Sequence, residues 1–263
     1  MLLVLSVTQL TGWGTIYYGF SLFVDPLQQS LGWSRAWIQG APTAAFLAWG
    51  AAAPIVGHLL NRVGSRTVMT TGSTLATVAL TVWATWPGHA GVFLAVWIVL
   101  GIAMAMVLYE PAFATLVAIA PDRYQRAITL LTLVGGFAST LFMPLVQWSI
   151  DAWGWQAALY AMAAANGLIC LPLHRLGLPA PPASSPDANP PTRQEAPLLP
   201  TRDLFHNDAF DAQTFAGLAI WFAAFQAATA ALTFLLVPLL TSLDVPMPTV
   251  LLCVAAIGPM QVV

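Results

Sequence analysis

An all-α membrane protein is the fold this sequence predicts, and three observations carry the prediction. Hydrophobic residues fill 59% of the 263 positions, charged residues fill only 7%, and the mean hydropathy is +0.78. Soluble domains carry about 25% charged residues, so this composition cannot clothe an ordinary water-facing surface. The few charges also fall in short islands, leaving uncharged runs at 1–24, 36–61, 67–109, 127–150, 152–174, 212–243 and 245–263. A helix needs about 20 apolar residues to cross a hydrocarbon core of about 30 Å, and almost every run meets that length.

Taken in order, the runs predict about eight spans: 2–24, 37–60, 67–86, 91–119, 127–150, 155–173, 212–240 and 248–263. The run 67–109 is divided because Pro87-Gly88-His89-Ala90 is a turn signal in its middle. The eighth span starts after Asp244-Val245-Pro246-Met247-Pro248 and reaches Val263 with no polar flank. That span is expected to be incomplete, and the protein to be truncated at its C-terminus. Cys170 and Cys253 both lie in apolar runs without metal-ligand spacing and are expected as buried small hydrophobes.

Arginine sets the expected sidedness. The sequence has no lysine, and its eight basic residues are all arginine. With the N-terminus inside, Arg62, Arg66, Arg123, Arg126, Arg175, Arg193 and Arg202 fall on the cytoplasmic side, against Arg35 alone outside. That asymmetry is a positive-inside signal and implies a multi-pass protein of the inner (plasma) membrane. Trp33, Trp37, Trp83, Trp86, Trp148, Trp153 and Trp155 sit near the ends of spans, where an interfacial belt is expected.

Residues 174–208, HRLGLPAPPASSPDANPPTRQEAPLLPTRDLFHND, are rich in proline and polar residues and lack apolar periodicity. They are expected as a cytoplasmic linker. The domain plan is then a six-helix bundle over 1–173, the linker over 174–208, and the first helices of a second bundle over 209–263. Secondary transporters built from two helical halves share this plan.

Between the second and third spans lies Gly57-x-Leu59-x-x-Arg62-x-Gly64-x-Arg66. It resembles the G-x-L-x-D-R-x-G-R-R/K loop signature of the major facilitator superfamily. Gly57 is expected to allow close backbone approach and Gly64 to support a tight turn. In the family the aspartate contacts the second bundle and helps to latch the outward-open state. Asn61 stands at that position here, which implies a latch weakened by the lost charge–dipole term of about 0.3–1 kcal/mol. Gly32-Trp33-Ser34-Arg35, Tyr109-Glu110-Pro111-Ala112-Phe113-Ala114 and RAITLLTLVGGFASTLFMPL from Arg126 are similar to bacterial facilitators grouped loosely with oxalate/formate and monocarboxylate transporters. The likeness covers residues 1–173 and not the linker. The helix-4 arginine of some relatives is replaced by Trp97, and Gly135-Gly136 precede Pro144 rather than follow it, which disfavours a drug/proton antiporter.

Glu110 is the ionisable residue inside a span. Such a residue costs on the order of 3 kcal/mol at mid-membrane and points to function by default. Substrate coupling or gating is one reading. A structural ion pair with Arg123 or Arg126 is the other. Pro111, which follows it, should free the Val107 carbonyl and kink the helix. In helix 1, Gln9, Thr11, Thr15, Tyr17 and Tyr18, with Gly12, Gly14 and Gly19, form a polar stripe that could line a cavity or simply pack helices. Gln147, Asn166 and Gln226 are weaker candidates of the same kind. His58, His89, His174 and His206 are expected to be solvated.

The expected function is secondary transport of a small organic solute, with a monocarboxylate as one option, by alternating access. The alternative is a non-transporting sensor or an inactive fragment. An intramembrane enzyme would need a catalytic pair inside the spans, and no such motif is found. The expected partners are the lipid bilayer, the solute and a co-transported proton, with no nucleic acid, no metal and no cofactor.

Overall fold

The computed structural model describes residues 1–180 and 212–260, and the described elements are helical throughout. From residue 181 onward the expected linker lies outside the described residues, as does His206. Helix α1 covers Leu2–Gly12 and runs on through a π turn, Trp13–Tyr17, and a 3-10 stretch, Tyr18–Phe23. Helix α2, Val24–Leu31, ends at Gly32 in the left-handed conformation.

Helix α3, Arg35–Thr85, contains both the second and third expected spans. The loop expected between them is compressed into one non-helical residue, Gly64, at φ 78° and ψ 161°. A side chain is strained in that region, so glycine is required there. At Gly57, nothing among the described residues lies within 4 Å of where a Cβ would stand, so no close approach is made there within them.

Helices α4, Ala90–Val107, and α5, Tyr109–Ile119, are separated only by Leu108, at φ −80° and ψ −154°. Next come α6, Tyr124–Gly136; α7, Ala138–Trp153; and α8, Trp155–Ala165. A second π turn, Asn166–Cys170, leads into α9, Leu171–Gly177. After the undescribed stretch come α10, Ala212–Ser242, and α11, Met247–Met260. Among the described residues, five helical stretches are long and apolar enough to cross a membrane: Arg35–Thr85, Ala90–Ile119, Tyr124–Trp153, Trp155–Gly177 and Ala216–Ser242. The first of these holds two of the expected spans.

Residues Met1–Pro181 and Phe234–Val263 make one compact unit, and Pro182–Thr233 another, so the boundary falls inside α10. In the first unit, α3 and α4 pack tightly enough that a methyl group on Gly101 would overlap the Ala45 carbonyl. The core has two recognisable ends. Leu5, Met69, Leu116, Leu131 and Leu178 cluster at one, where Arg66 Nε donates to the Leu178 carbonyl at 2.7 Å. At the other, Phe93 meets Trp33 at 5.1 Å and Trp83 at 5.4 Å between ring centroids.

Three side chains depart from expectation. Trp83 is 1% exposed and belongs to the core, whereas Trp37, Trp86, Trp148 and Trp153 are exposed as an interfacial belt requires. His174 is buried, and its Nδ1 shares a 2.8 Å hydrogen bond with Ser73 Oγ. A hydroxyl from α3 meets it there, which position in the sequence could not reveal. Cys170 is buried as expected, but Cys253 is exposed on α11. An apolar stretch says that a residue avoids water, and lipid satisfies that as well as a core does.

Candidate functional site

The break between α4 and α5 follows from covalent structure. Pro111 has no N–H, so the carbonyl four residues earlier loses its helical partner. Gln9, from α1, supplies a replacement: its Nε2 donates to the Val107 carbonyl at 2.7 Å and lies 3.3 Å from the Leu108 carbonyl. Gln9 is fully buried, so this amide clamps helix 1 to the broken helix.

Glu110 stands in the first turn of the resumed helix α5. A helix N-terminus favours negative charge there. The residue is exposed, in line with Ala114, Val117 and Ala118 on one face of α5. Neither Arg123 nor Arg126 pairs with it: among the described residues the one ion pair is Arg35–Asp25. The expected structural ion pair is therefore absent, and the carboxyl faces outward from the bundle without a cationic partner among the described residues.

Beside this break lies an aromatic cluster that the sequence did not announce. Trp13 meets Tyr109 at 4.8 Å, Tyr17 at 4.9 Å and Trp49 at 6.1 Å, centroid to centroid. Tyr17 also meets Tyr18 at 5.1 Å and Phe234 at 5.1 Å. Trp13, Tyr17, Trp49 and Tyr109 are all half-buried, so their faces remain partly open. The indole N–H of Trp13 is shielded and has no hydrogen-bond acceptor among the described residues. The i, i+4 spacing of Trp13 and Tyr17 was a usable signal, but an α-helical wheel misplaces it because those residues bound the π turn.

The remaining helix-1 candidates divide. Thr15 donates to the Thr11 carbonyl at 2.7 Å and accepts from Asn166 Nδ2 at 2.8 Å. It also borders a small cleft of about 90 Å³ with Phe142, Ser149 and Met162. Tyr18 is 7% exposed and packed among the rings. The structure thus brings Gln9, Tyr17, Tyr18 and the α4–α5 break together, while Thr15 works with Asn166. Gln147 donates to Asp151 at 2.8 Å on α7, and the side chain of Gln226 lies outside the described residues.

The loop residues are separate from this group. Asn61 and Arg62 are exposed and make no hydrogen bond or ion pair among the described residues. Gly64 carries the turn, and Arg66 reaches the Leu178 carbonyl.

A helical protein with this glycine-arginine turn and a broken fourth span can be compared with known proteins. The sequence profile of the Major Facilitator Superfamily matches residues 2–263. The chain belongs to that superfamily. This facilitator is 30% identical over 157 residues to monocarboxylate transporter 11 of Homo sapiens, covering 57% of its own length and 32% of that protein. It is 29% identical over 142 residues to monocarboxylate transporter 11 of Mus musculus, covering 52% of its own length and 32% of the relative. The matched part thus spans about a third of each relative. Membership makes this facilitator a multi-pass membrane protein, in keeping with its apolar helices.

Proposed function

We propose that the chain is part of a secondary transporter that moves a small organic solute by alternating access, with a monocarboxylate as the first class to test. The observation that carries this reading is the broken fourth span, with Glu110 at the resumed helix N-terminus and no cationic partner among the described residues. Discontinuous helices and ionisable groups at membrane depth mark substrate and ion sites in transporters. A carboxylate facing hydrocarbon would cost on the order of 3 kcal/mol, so the Glu110 strip belongs against a wet cavity or a second bundle. The membership and the similarity to transporters support the class.

The roles follow from the geometry. Trp13, Tyr17 and Tyr109 offer partly open ring faces to the apolar part of a solute. Gln9 holds the break open by replacing the bond that Pro111 cannot make. No arginine lies within the uncharged runs that form the spans. An anionic solute would therefore meet Glu110 favourably only when that carboxyl carries a proton, which couples solute entry to proton entry. Orientation follows the arginine count, with the N-terminus and the linker on the cytoplasmic side of the inner (plasma) membrane.

Flux into liposomes by the protein expressed from its full reading frame tests this, using a panel of monocarboxylates, sugars and amino acids with and without an imposed proton gradient. Stimulation of one monocarboxylate by the gradient, abolished by Glu110→Gln with solute exchange retained, is the expected result. Gradient-driven uptake that survives Glu110→Gln would remove Glu110 from the coupling role.

A further inference from the structure

Arg35 stands alone at the opposite end of the bundle from the glycine-arginine turn, and its surroundings are built. Ser34 caps α3 by accepting the Trp37 N–H at 3.2 Å, which holds the first turn of that helix in place. From this start the guanidinium spends all three nitrogens. Nη2 donates to Asp25 Oδ1 at 2.7 Å, Nε to Gln28 Oε1 at 3.0 Å, and Nη1 to the Pro238 carbonyl at 3.2 Å. The first two acceptors lie on α2, just before α3 in the sequence. The third lies 203 residues away, near the C-terminal end of α10.

Each part of this arrangement suits a reversible closure. The last turn of a helix presents carbonyls and the negative end of its dipole, so a cation is well placed there. The planar fork of arginine can serve several acceptors at once, which a lysine ammonium does with less geometric control. The pair is only half-buried, with side-chain exposures of 38% and 29%, so water can replace its bonds when the elements part. One turn below, Phe234 and Val237 are buried, and Phe234 meets Tyr17 and Phe46. The guanidinium therefore caps the end of α10 whose preceding turn packs on the aromatic cluster.

We propose that Arg35 is a gate residue: it ties the α2–α3 corner to the end of α10 and closes that end of the solute route while the opposite end is open. The proposal rests on the transporter reading for its meaning, but it is tested separately. A gate of this kind has a closed form held by one ion pair and two further hydrogen bonds, and an open form in which all are hydrated.

The test is thiol accessibility in the protein expressed from its full reading frame, carrying Cys170→Ala and Cys253→Ala. Val237→Cys reports the proposed gate, and Met69→Cys reports the buried core at the other end. A membrane-impermeant maleimide should label the Val237→Cys protein several-fold faster when Arg35→Gln is added. Asp25→Asn should give a smaller rise, and Arg35→Lys should fall between Arg35→Gln and the parent. Labelling of Met69→Cys should not change. Equal rises at both positions would show general loosening and overturn the gate, as would no rise at Val237→Cys with either Arg35→Gln or Asp25→Asn. Flux that continues alongside unchanged labelling would sink the gate and leave the transporter standing. Faster labelling without flux of any solute would keep the gate and remove the transport reading.

Discussion

The two ends of the bundle use arginine in opposite ways. At the glycine-arginine turn, Arg62 and Asn61 are exposed and unbonded among the described residues, and Arg66 makes a single bond to a backbone carbonyl. At the other end, Arg35 is engaged by three acceptors on two distant parts of the sequence. Several hydrated arginines can fix which side of a membrane a turn occupies without holding anything together. One half-buried arginine can hold two elements while doing little for topology. The number of charges at an end is thus no guide to how firmly that end is closed.

Mutations at the loosely held end sharpen this contrast. The largest effect is expected at Gly64, where φ 78° and ψ 161° exclude a branched side chain. Gly64→Val should cost about 1–3 kcal/mol, read as a lowered unfolding midpoint in detergent. Full stability in that variant would show that the turn relaxes freely. Arg66→Gln comes next. Losing a bond from a charged donor to the Leu178 carbonyl should cost about 1 kcal/mol, discounted for partial exposure. Protease resistance of the backbone just after Leu178 should fall with it.

Asn61→Asp restores the charge found in related loops and should shift the balance toward the outward-open form by several-fold at most. The charge–dipole term at stake is under about 1 kcal/mol. Distance distributions between spin labels on the two halves measure the shift, and identical distributions would remove the latch reading of this loop. The smallest effect belongs to Arg62→Gln, which breaks no bond among the described residues. Its stability should stay within about 0.5 kcal/mol of the parent. A larger loss in the same denaturation assay would mean that this end is held by contacts not visible in the single chain.

Much of the helical layout was legible because charge and hydrophobicity act over whole spans. Pro87-Gly88 ended a helix as a turn signal should, and Pro111 broke the fourth span at Leu108. The interior of the site was less legible, because its members meet through space. Nothing near Gln9 in the sequence points to the Val107 carbonyl 98 residues away. Trp13, Trp49 and Tyr109 came together from three helices, and apolar patterning cannot tell a ring that lines a route from one that faces lipid. Trp83 and His174 show the same blindness in reverse, since both sit near helix ends and both are buried by partners that only folding supplies.

The π turn at Trp13–Tyr17, followed by the 3-10 stretch at Tyr18–Phe23, has a practical consequence for anyone who scans this helix residue by residue. A π turn takes one residue more per hydrogen-bonded ring than the α form, and a 3-10 turn one fewer. Accessibility or sensitivity plotted along residues 2–23 should therefore keep its beat as far as Gly12, stretch it across the next five positions and shorten it afterwards. A single sinusoid fitted to the whole segment would average these three rhythms away. It would report a helix with no preferred face at the one place where the protein has the most to distinguish.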